Sequence, residues 1–195
     1  MHDLIERQMF TAVQAGVLTE GTRRGDNIRI SGGTSAGKTT LLKVMAGAIL
    51  ESERILIIGD TVELPTRKPH VVQQEAQTDT LRKAVSFDDL LKASLLHRPD
   101  RITLGEIRGT EAPIRLDFMN TGHRESLATI HASSAKGALL RLRTLLMRET
   151  ASHLPAAADA EIRAAIHKVI HIDREGGQRH VREILGDPGI TIKRM

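Results

Sequence analysis

Apolar residues recur along this chain with two different periods, and the alternation between them predicts its architecture. Across residues 4–18, Ile5, Met9, Val13 and Val17 stand four apart with Glu6, Arg7 and Gln14 available for the polar side, which predicts one amphipathic helix. Gly21 to Asp26 reads as a polar, turn-rich stretch. Beyond it, short β-prone runs predict strands at Asn27–Ser31, Arg54–Ile58, His70–Gln73, Arg101–Leu104 and Ser126–His131. Helix-period stretches lie between and after them at Lys38–Leu50, Phe87–Leu96, Ala112–Asn120 and Ser134–Arg148. Strands that alternate with helices predict an α/β fold, a mainly parallel sheet with helices on both faces. Pro155 opens another helix, in which Ile162, Ile166 and Val169 continue the spacing. The pattern then changes: Lys168–Asp173 and Arg179–Leu185 flank Glu175-Gly176-Gly177 as an antiparallel β-ribbon.

Composition narrows the class without naming a function. The 195 residues suit one α/β core, and no apolar run reaches membrane-spanning length. The opening Met1-His2-Asp3-Leu4-Ile5-Glu6-Arg7 carries acids where a secretory signal needs an apolar stretch, so the expected location is the cytoplasm. Without cysteine there is neither a disulfide framework nor a thiolate zinc site. A formal charge of +4 and a pI near 9.8 permit an acidic partner. Yet the basic residues are spread through Arg23-Arg24, Arg67-Lys68, Arg141–Arg148 and Lys193-Arg194, and neither Trp nor Tyr is present to stack on bases. That distribution reads as a solvated surface, and direct DNA binding is not established by it.

Residues 32–40, GGTSAGKTT, carry the strongest chemistry. Gly32, Gly37, Lys38 and Thr39 complete the G-x-x-x-x-G-K-[ST] spacing of a phosphate-binding loop, between a predicted strand and a predicted helix. In that arrangement the backbone amides of Gly32, Gly33, Thr34, Ser35, Ala36, Gly37, Lys38, Thr39 and Thr40 wrap the phosphates of a nucleoside triphosphate. The Lys38 ammonium reaches the terminal phosphates and the Thr39 hydroxyl is offered to Mg²⁺. ATP and Mg²⁺ are the expected ligands.

Three further segments supply candidate reacting groups. Arg101–Leu104 leads into Gly105-Glu106, so Glu106 stands at the C-terminal edge of the sheet, where it can hold a Mg²⁺-bound water or orient the attacking one. Asp60 and Glu63 follow the apolar strand ILIIG and can polarise water from a neighbouring loop. His123 precedes a strand and His131 ends it, positions from which an imidazole can contact the terminal phosphate.

Taken in order, GGTSAGKTT, IGDTVEL, HRPDRITLGEIRGTEA and NTGH…LATIHASSA resemble the Walker A loop, acidic box, Walker B segment and histidine box of the secretion and traffic ATPases. Over nearly its whole length the chain is similar to their C-terminal RecA-like domain, with the TrbB-like conjugative-transfer ATPases of type IV secretion the nearest wording. The resemblance implies a P-loop NTPase motor with Lys38 and Thr39 on phosphate and Mg²⁺, Asp60 and Glu63 in the acidic box, and Glu106 as the Walker B glutamate. It further implies a role for Arg108, from the family's GE-x-R pattern, and for His123 and His131. Its implied partners are further copies of itself in a ring, hexameric in the family, and the secretion-channel and coupling proteins of the inner membrane, at whose cytoplasmic face it would lie. The missing cysteines set it apart from the type II secretion members that carry a tetracysteine zinc element.

Three departures shape the expectations. Family members carry a substantial N-terminal domain before the P-loop, whereas thirty-one residues precede Gly32 here, so the expectation is one RecA-like domain over 1–195 with that domain absent. Ser35-Ala36 replaces the usual Gly-Ser, putting a side chain where glycine's backbone freedom is customary. Gly59 replaces an acid that commonly precedes Asp60. The expected activity is therefore Mg²⁺-dependent ATP hydrolysis with weak turnover. The alternatives are a nucleotide-binding interaction subunit of the same machinery, or a related pilus or type II secretion ATPase.

Overall fold

A computed structural model of the chain describes residues 2–59, 68–76, 84–107, 126–149, 154–186 and 191–193. Its helices are α1 (His2–Glu6), α2 (Ala12–Arg24), α3 (Lys38–Gly47), α4 (Phe87–Ser94), α5 (Ala135–Glu149) and α6 (Pro155–Ala165). A 3₁₀ turn at Leu95–His97 follows α4. The strands are β1 (Ile28–Gly32), β2 (Ile55–Gly59), β3 (Val71–Glu75), β4 (Arg101–Ile107), β5 (Ser126–His131), β6 (Lys168–Glu175), β7 (Gln178–Gly186) and β8 (Thr191–Lys193). They form one sheet in the order β3-β2-β4-β5-β1-β6-β7-β8. Strands β3 through β6 in that order run parallel, and β7 and β8 add antiparallel to the β6 edge. The predicted helix at Ala112–Asn120 lies outside the described residues.

Both faces of the sheet are covered, as continuous apolar strands require. On one face Ile28, Ile30, Ile55, Ile57 and Ile170 pack with Leu18 of α2 and Leu41, Leu42 and Met45 of α3. On the other, Leu56, Ile58, Ile102, Leu104 and Ile130 pack with Leu91 of α4, Leu142 and Leu146 of α5 and Ile162 of α6. Successive residues of β2 thus serve opposite cores, because side chains alternate along a strand.

The N-terminal pattern is corrected: two helices occupy the stretch predicted as one. Gln8 takes a left-handed φ of 56°, Met9 N donates to Leu4 O, and the first helix stops at Glu6. Thr11 then opens α2 with a capping box, its hydroxyl accepting from Gln14 N while Gln14 Oε1 accepts from Thr11 N. This second helix runs through the stretch read as a turn, to Arg24, and closes on Gly25 at φ 85°. Val13 consequently faces outward at 67% exposure. A second correction falls on α6, which ends at Ala165. Ile166 is already extended and Val169 belongs to β6, so their helical spacing from Ile162 is a coincidence of helix end and strand start.

Buried polar groups meet where β1 pairs with β6. Ser31 Oγ lies 3.0 Å from both Ile170 O and His171 Nδ1. Its single hydrogen goes to the carbonyl, so His171 Nδ1 carries the proton and donates. Burial lowers the His171 pKa from the ordinary value of about 6.5, against the opposing pull of Asp173 and Glu183, while Arg182 adds to the lowering. The unfolded chain therefore binds more protons than the folded one at and below that value, and this part of the stability, full above pH 6.5, is lost as pH falls. The thermal midpoint should drop between pH 7 and pH 5, and drop less in a His171→Gln variant. A variant with the parent's full pH slope would assign the loss to other groups.

Candidate nucleotide-binding site

The glycine-rich segment connects β1 to α3 at the C-terminal edge of the parallel strands. Gly32 is tightly enclosed: a Cβ there would lie 2.6 Å from Ile172 O and 3.1 Å from Ala36 Cβ. Gly37 needs its freedom for a φ of 98°, and a Cβ there would also displace the flexible end of Arg179, whose Cδ would lie 2.8 Å away. Above Gly33 the space is open. Ser35 also lies in the left-handed region at φ 58°, so its side chain stands where glycine is customary. A non-glycine residue there costs about 1–2 kcal/mol. Ser35→Gly should therefore raise the thermal midpoint by a few degrees (~2–4 °C per kcal/mol), partly offset by the freer unfolded chain. A midpoint lowered by that change would show that the serine side chain is needed where it stands.

The helix that follows is prepared for an anion. α2 carries a capping box, and at the start of α5 the Ser134 hydroxyl accepts from Gly137 N while Glu183 accepts from Ala135 N. α3 has Gly37 as its N-cap and no side-chain cap. Its first-turn amides face the loop with the partial positive charge of the helix end.

Lys38 is 8% exposed, and its ammonium donates to Gly33 O at 2.7 Å and Gly32 O at 3.1 Å. The same nitrogen lies 3.4 Å from His131 Nδ1, which accepts because an ammonium has only donors. Strand register produces this meeting, since Gly32 pairs with His131 across β1 and β5. Two boxes separated by some ninety residues (|i−j| = 93) thus converge on one nitrogen. Thr34, Thr39 and Thr40 are exposed beside it and Ala36 is buried.

Glu106 stands on β4 near the same edge. The β4–β5 register shifts between Leu104 and Glu106, leaving Gly105 as a bulge whose carbonyl accepts from Thr129 Oγ1 at 2.6 Å. Past the bulge Glu106 pairs with Thr129, two residues before His131. A Cβ on Gly105 would lie 3.3 Å from Gly59 Cα, so this pair of glycines lets β2 and β4 approach closely where the acidic box begins. Asp60, Glu63, Arg108 and His123 lie outside the described residues.

One neighbour of the loop was not legible in the sequence. Arg179, the second residue of β7 after the Gly176-Gly177 turn, sends its Nε to within 3.3 Å of Ser35 O. Both turn glycines have positive φ, 59° and 85°, the geometry of a tight hairpin turn. The turn could be read from the sequence, but its return path to the phosphate loop could not.

The family described as type II/IV secretion system protein matches residues 2–184. The conjugal transfer protein TrbB of Rhizobium radiobacter is 34% identical over 188 residues, covering 95% of this chain and 55% of that protein. The type IV secretion system protein VirB11 of Bartonella quintana is 35% identical over 193 residues, covering 94% and 54%. Among solved structures, the VirB11 ATPase of the Brucella suis type IV secretion system, in complex with sulphate, superimposes with a TM-score of 0.81 at 26% identity, covering 94% of this chain and 56% of that one. The pilus retraction motor PilT with bound ADP, at a TM-score of 0.69 and 23% identity, shares the fold. The chain spans about half the length of these relatives. With a RecA-like sheet, a phosphate loop and a match over nearly its whole length, the chain belongs to the type II/IV secretion system protein family.

Proposed function

We propose that this chain is the ATP-binding and ATP-hydrolysing domain of a conjugative-transfer or type IV secretion motor. The observation that carries the reading is the Lys38 ammonium, held by two loop carbonyls beside His131 at the open N-terminus of α3. A triphosphate laid on the loop meets the α3 amides and this cation, which exchanges a loop carbonyl or His131 for a phosphate oxygen. Thr39, exposed at the first turn, would hold Mg²⁺. Among the described residues no group of three or more His, Asp or Glu could hold a metal alone, which suits an ion that takes phosphate oxygens and few protein ligands. Bound there, Mg²⁺ would neutralise charge on the phosphates.

Glu106, with Glu63 and Asp60 from the acidic box, would orient and deprotonate the attacking water. His131 and His123 would contact the γ-phosphate, and Arg108 would complete the edge. The relatives named as conjugal transfer and type IV secretion proteins support this setting. The same reading takes in a homo-oligomeric ring and channel partners at the cytoplasmic face of the inner membrane. Among the described residues no helix is long and apolar enough to cross a membrane.

Phosphate release in steady state, with and without Mg²⁺, tests the reading. Lys38→Ala should remove all turnover above background. Gly59, close against Gly105 with no carboxylate, and the strained Ser35 favour a second reading, a subunit that binds ATP without hydrolysing it. Tight ATP binding with no release above the Lys38→Ala control would select that reading.

A further inference from the structure

The terminal hairpin has no part in the four sequence boxes, yet it closes one side of a groove of about 610 Å³ beside the phosphate loop. The groove begins at Thr40 and passes Val44, one turn further along α3. Leu4, Arg7 and Met9 line it from the N-terminal elbow, and Gln178 and Arg179 line it from the hairpin. We propose that this groove holds the nucleoside of the bound triphosphate, with the planar guanidinium of Arg179 stacked on the base. The proposal rests on the nucleotide reading above and names the part of the ligand that the phosphate loop leaves unassigned.

Position is the first argument. Lys38 marks the β,γ end of the phosphates, so the α-phosphate and the nucleoside must leave by the other side of the loop. Thr40 is two residues along from Lys38, and the groove opens there. Rigidity is the second. Val181 N donates to Met9 O at 2.7 Å, His180 Nδ1 lies 3.0 Å from Gln8 O, and Gln14 Nε2 donates to Val181 O at 3.2 Å. These bonds lace the elbow to the strand that carries Arg179, so both walls are set by the fold. The bond from Arg179 Nε to Ser35 O then ties the guanidinium to the loop.

Chemistry is the third. Leu4, Met9 and Val44 give the groove its aliphatic surface beside the polar Arg7, Thr40, Gln178 and Arg179, and the chain lacks Trp and Tyr altogether. A flat heterocycle in such a groove finds its π partner in a guanidinium plane, with an aliphatic surface against its other face. Stacking of this kind tolerates any base, because every base has a π-face. The groove should therefore recognise a purine nucleoside by shape and discriminate weakly between adenine and guanine.

Calorimetry with ATP, GTP and inorganic tripolyphosphate, each with Mg²⁺, separates the parts. Arg179→Ala should weaken ATP and GTP alike by about tenfold while leaving tripolyphosphate within about twofold. Arg179→Lys, which keeps the charge and loses the plane, should behave as the alanine variant does. Equal losses for tripolyphosphate would make Arg179 a phosphate contact and overturn the proposal. So would an unchanged affinity for ATP in Arg179→Ala, or a parent preference between ATP and GTP above about tenfold, which needs hydrogen-bond readout. A parent that binds tripolyphosphate and ATP equally places no nucleoside in the groove. A parent that binds none of the three overturns the nucleotide reading itself.

Discussion

Lys38→Ala is expected to bring nucleoside triphosphate binding below calorimetric detection, a loss of at least about a hundredfold. The native ammonium is nearly buried and satisfied by Gly32 O, Gly33 O and His131 Nδ1. Truncation leaves two carbonyl oxygens and an imidazole lone pair facing the place where the phosphates must lie, with no cation to offset them. A charge-assisted hydrogen bond to phosphate contributes about 1.5–3 kcal/mol, and the ammonium makes it by exchanging one of these three partners for a phosphate oxygen while its charge acts on the rest of the anion. The Ala side chain suits the first turn of α3, so the fold should survive. The measurement is ATP titration of parent and variant with Mg²⁺ present, alongside thermal melts. An intact variant that keeps the parent's affinity would remove the phosphate-loop assignment.

Glu106→Gln should separate binding from chemistry. Glu106 stands beyond the Gly105 bulge on β4, paired with Thr129 of the strand that ends at His131. An amide there keeps the carboxylate's size and loses its basicity, so the water is no longer activated. Loss of a general base typically costs 10²–10⁴ in rate, and a fall in kcat of about a hundredfold or more is expected with ATP affinity retained. Single-turnover assays with radiolabelled ATP would show the nucleotide trapped unhydrolysed. Hydrolysis at the parent rate would make Glu106 structural and leave Asp60 and Glu63 as the groups to test for water activation.

Much of the fold was legible because apolar periodicity is a local signal. The runs ILIIG and RITL read as strands buried on both faces, and they pack against α2 and α3 on one side and α4, α5 and α6 on the other. Periodicity failed where local backbone geometry outweighed it. Ile5, Met9, Val13 and Val17 keep perfect helical spacing, yet the left-handed Gln8 and the Thr11–Gln14 capping box divide the segment. Ile162, Ile166 and Val169 keep it too, across a helix end. A hydrophobic pattern records which residues are buried and not which backbone buries them.

The loop proposed to hold phosphate was legible in sequence alone, since its fixed positions fall in one short segment whose Gly32 and Gly37 are dictated by backbone geometry. Convergence was decided by tertiary structure. His131 meets Lys38 because β5 pairs with β1 in one register, a choice made by the whole sheet. Arg179 reaches Ser35 because an antiparallel ribbon folds back over the loop, with |i−j| = 144 between the two residues. No local pattern encodes that distance, because it follows from how twisted strands and the N-terminal elbow pack together. The sequence by itself therefore determined the loop proposed to bind phosphate, and the packing of distant segments decided what stands around it.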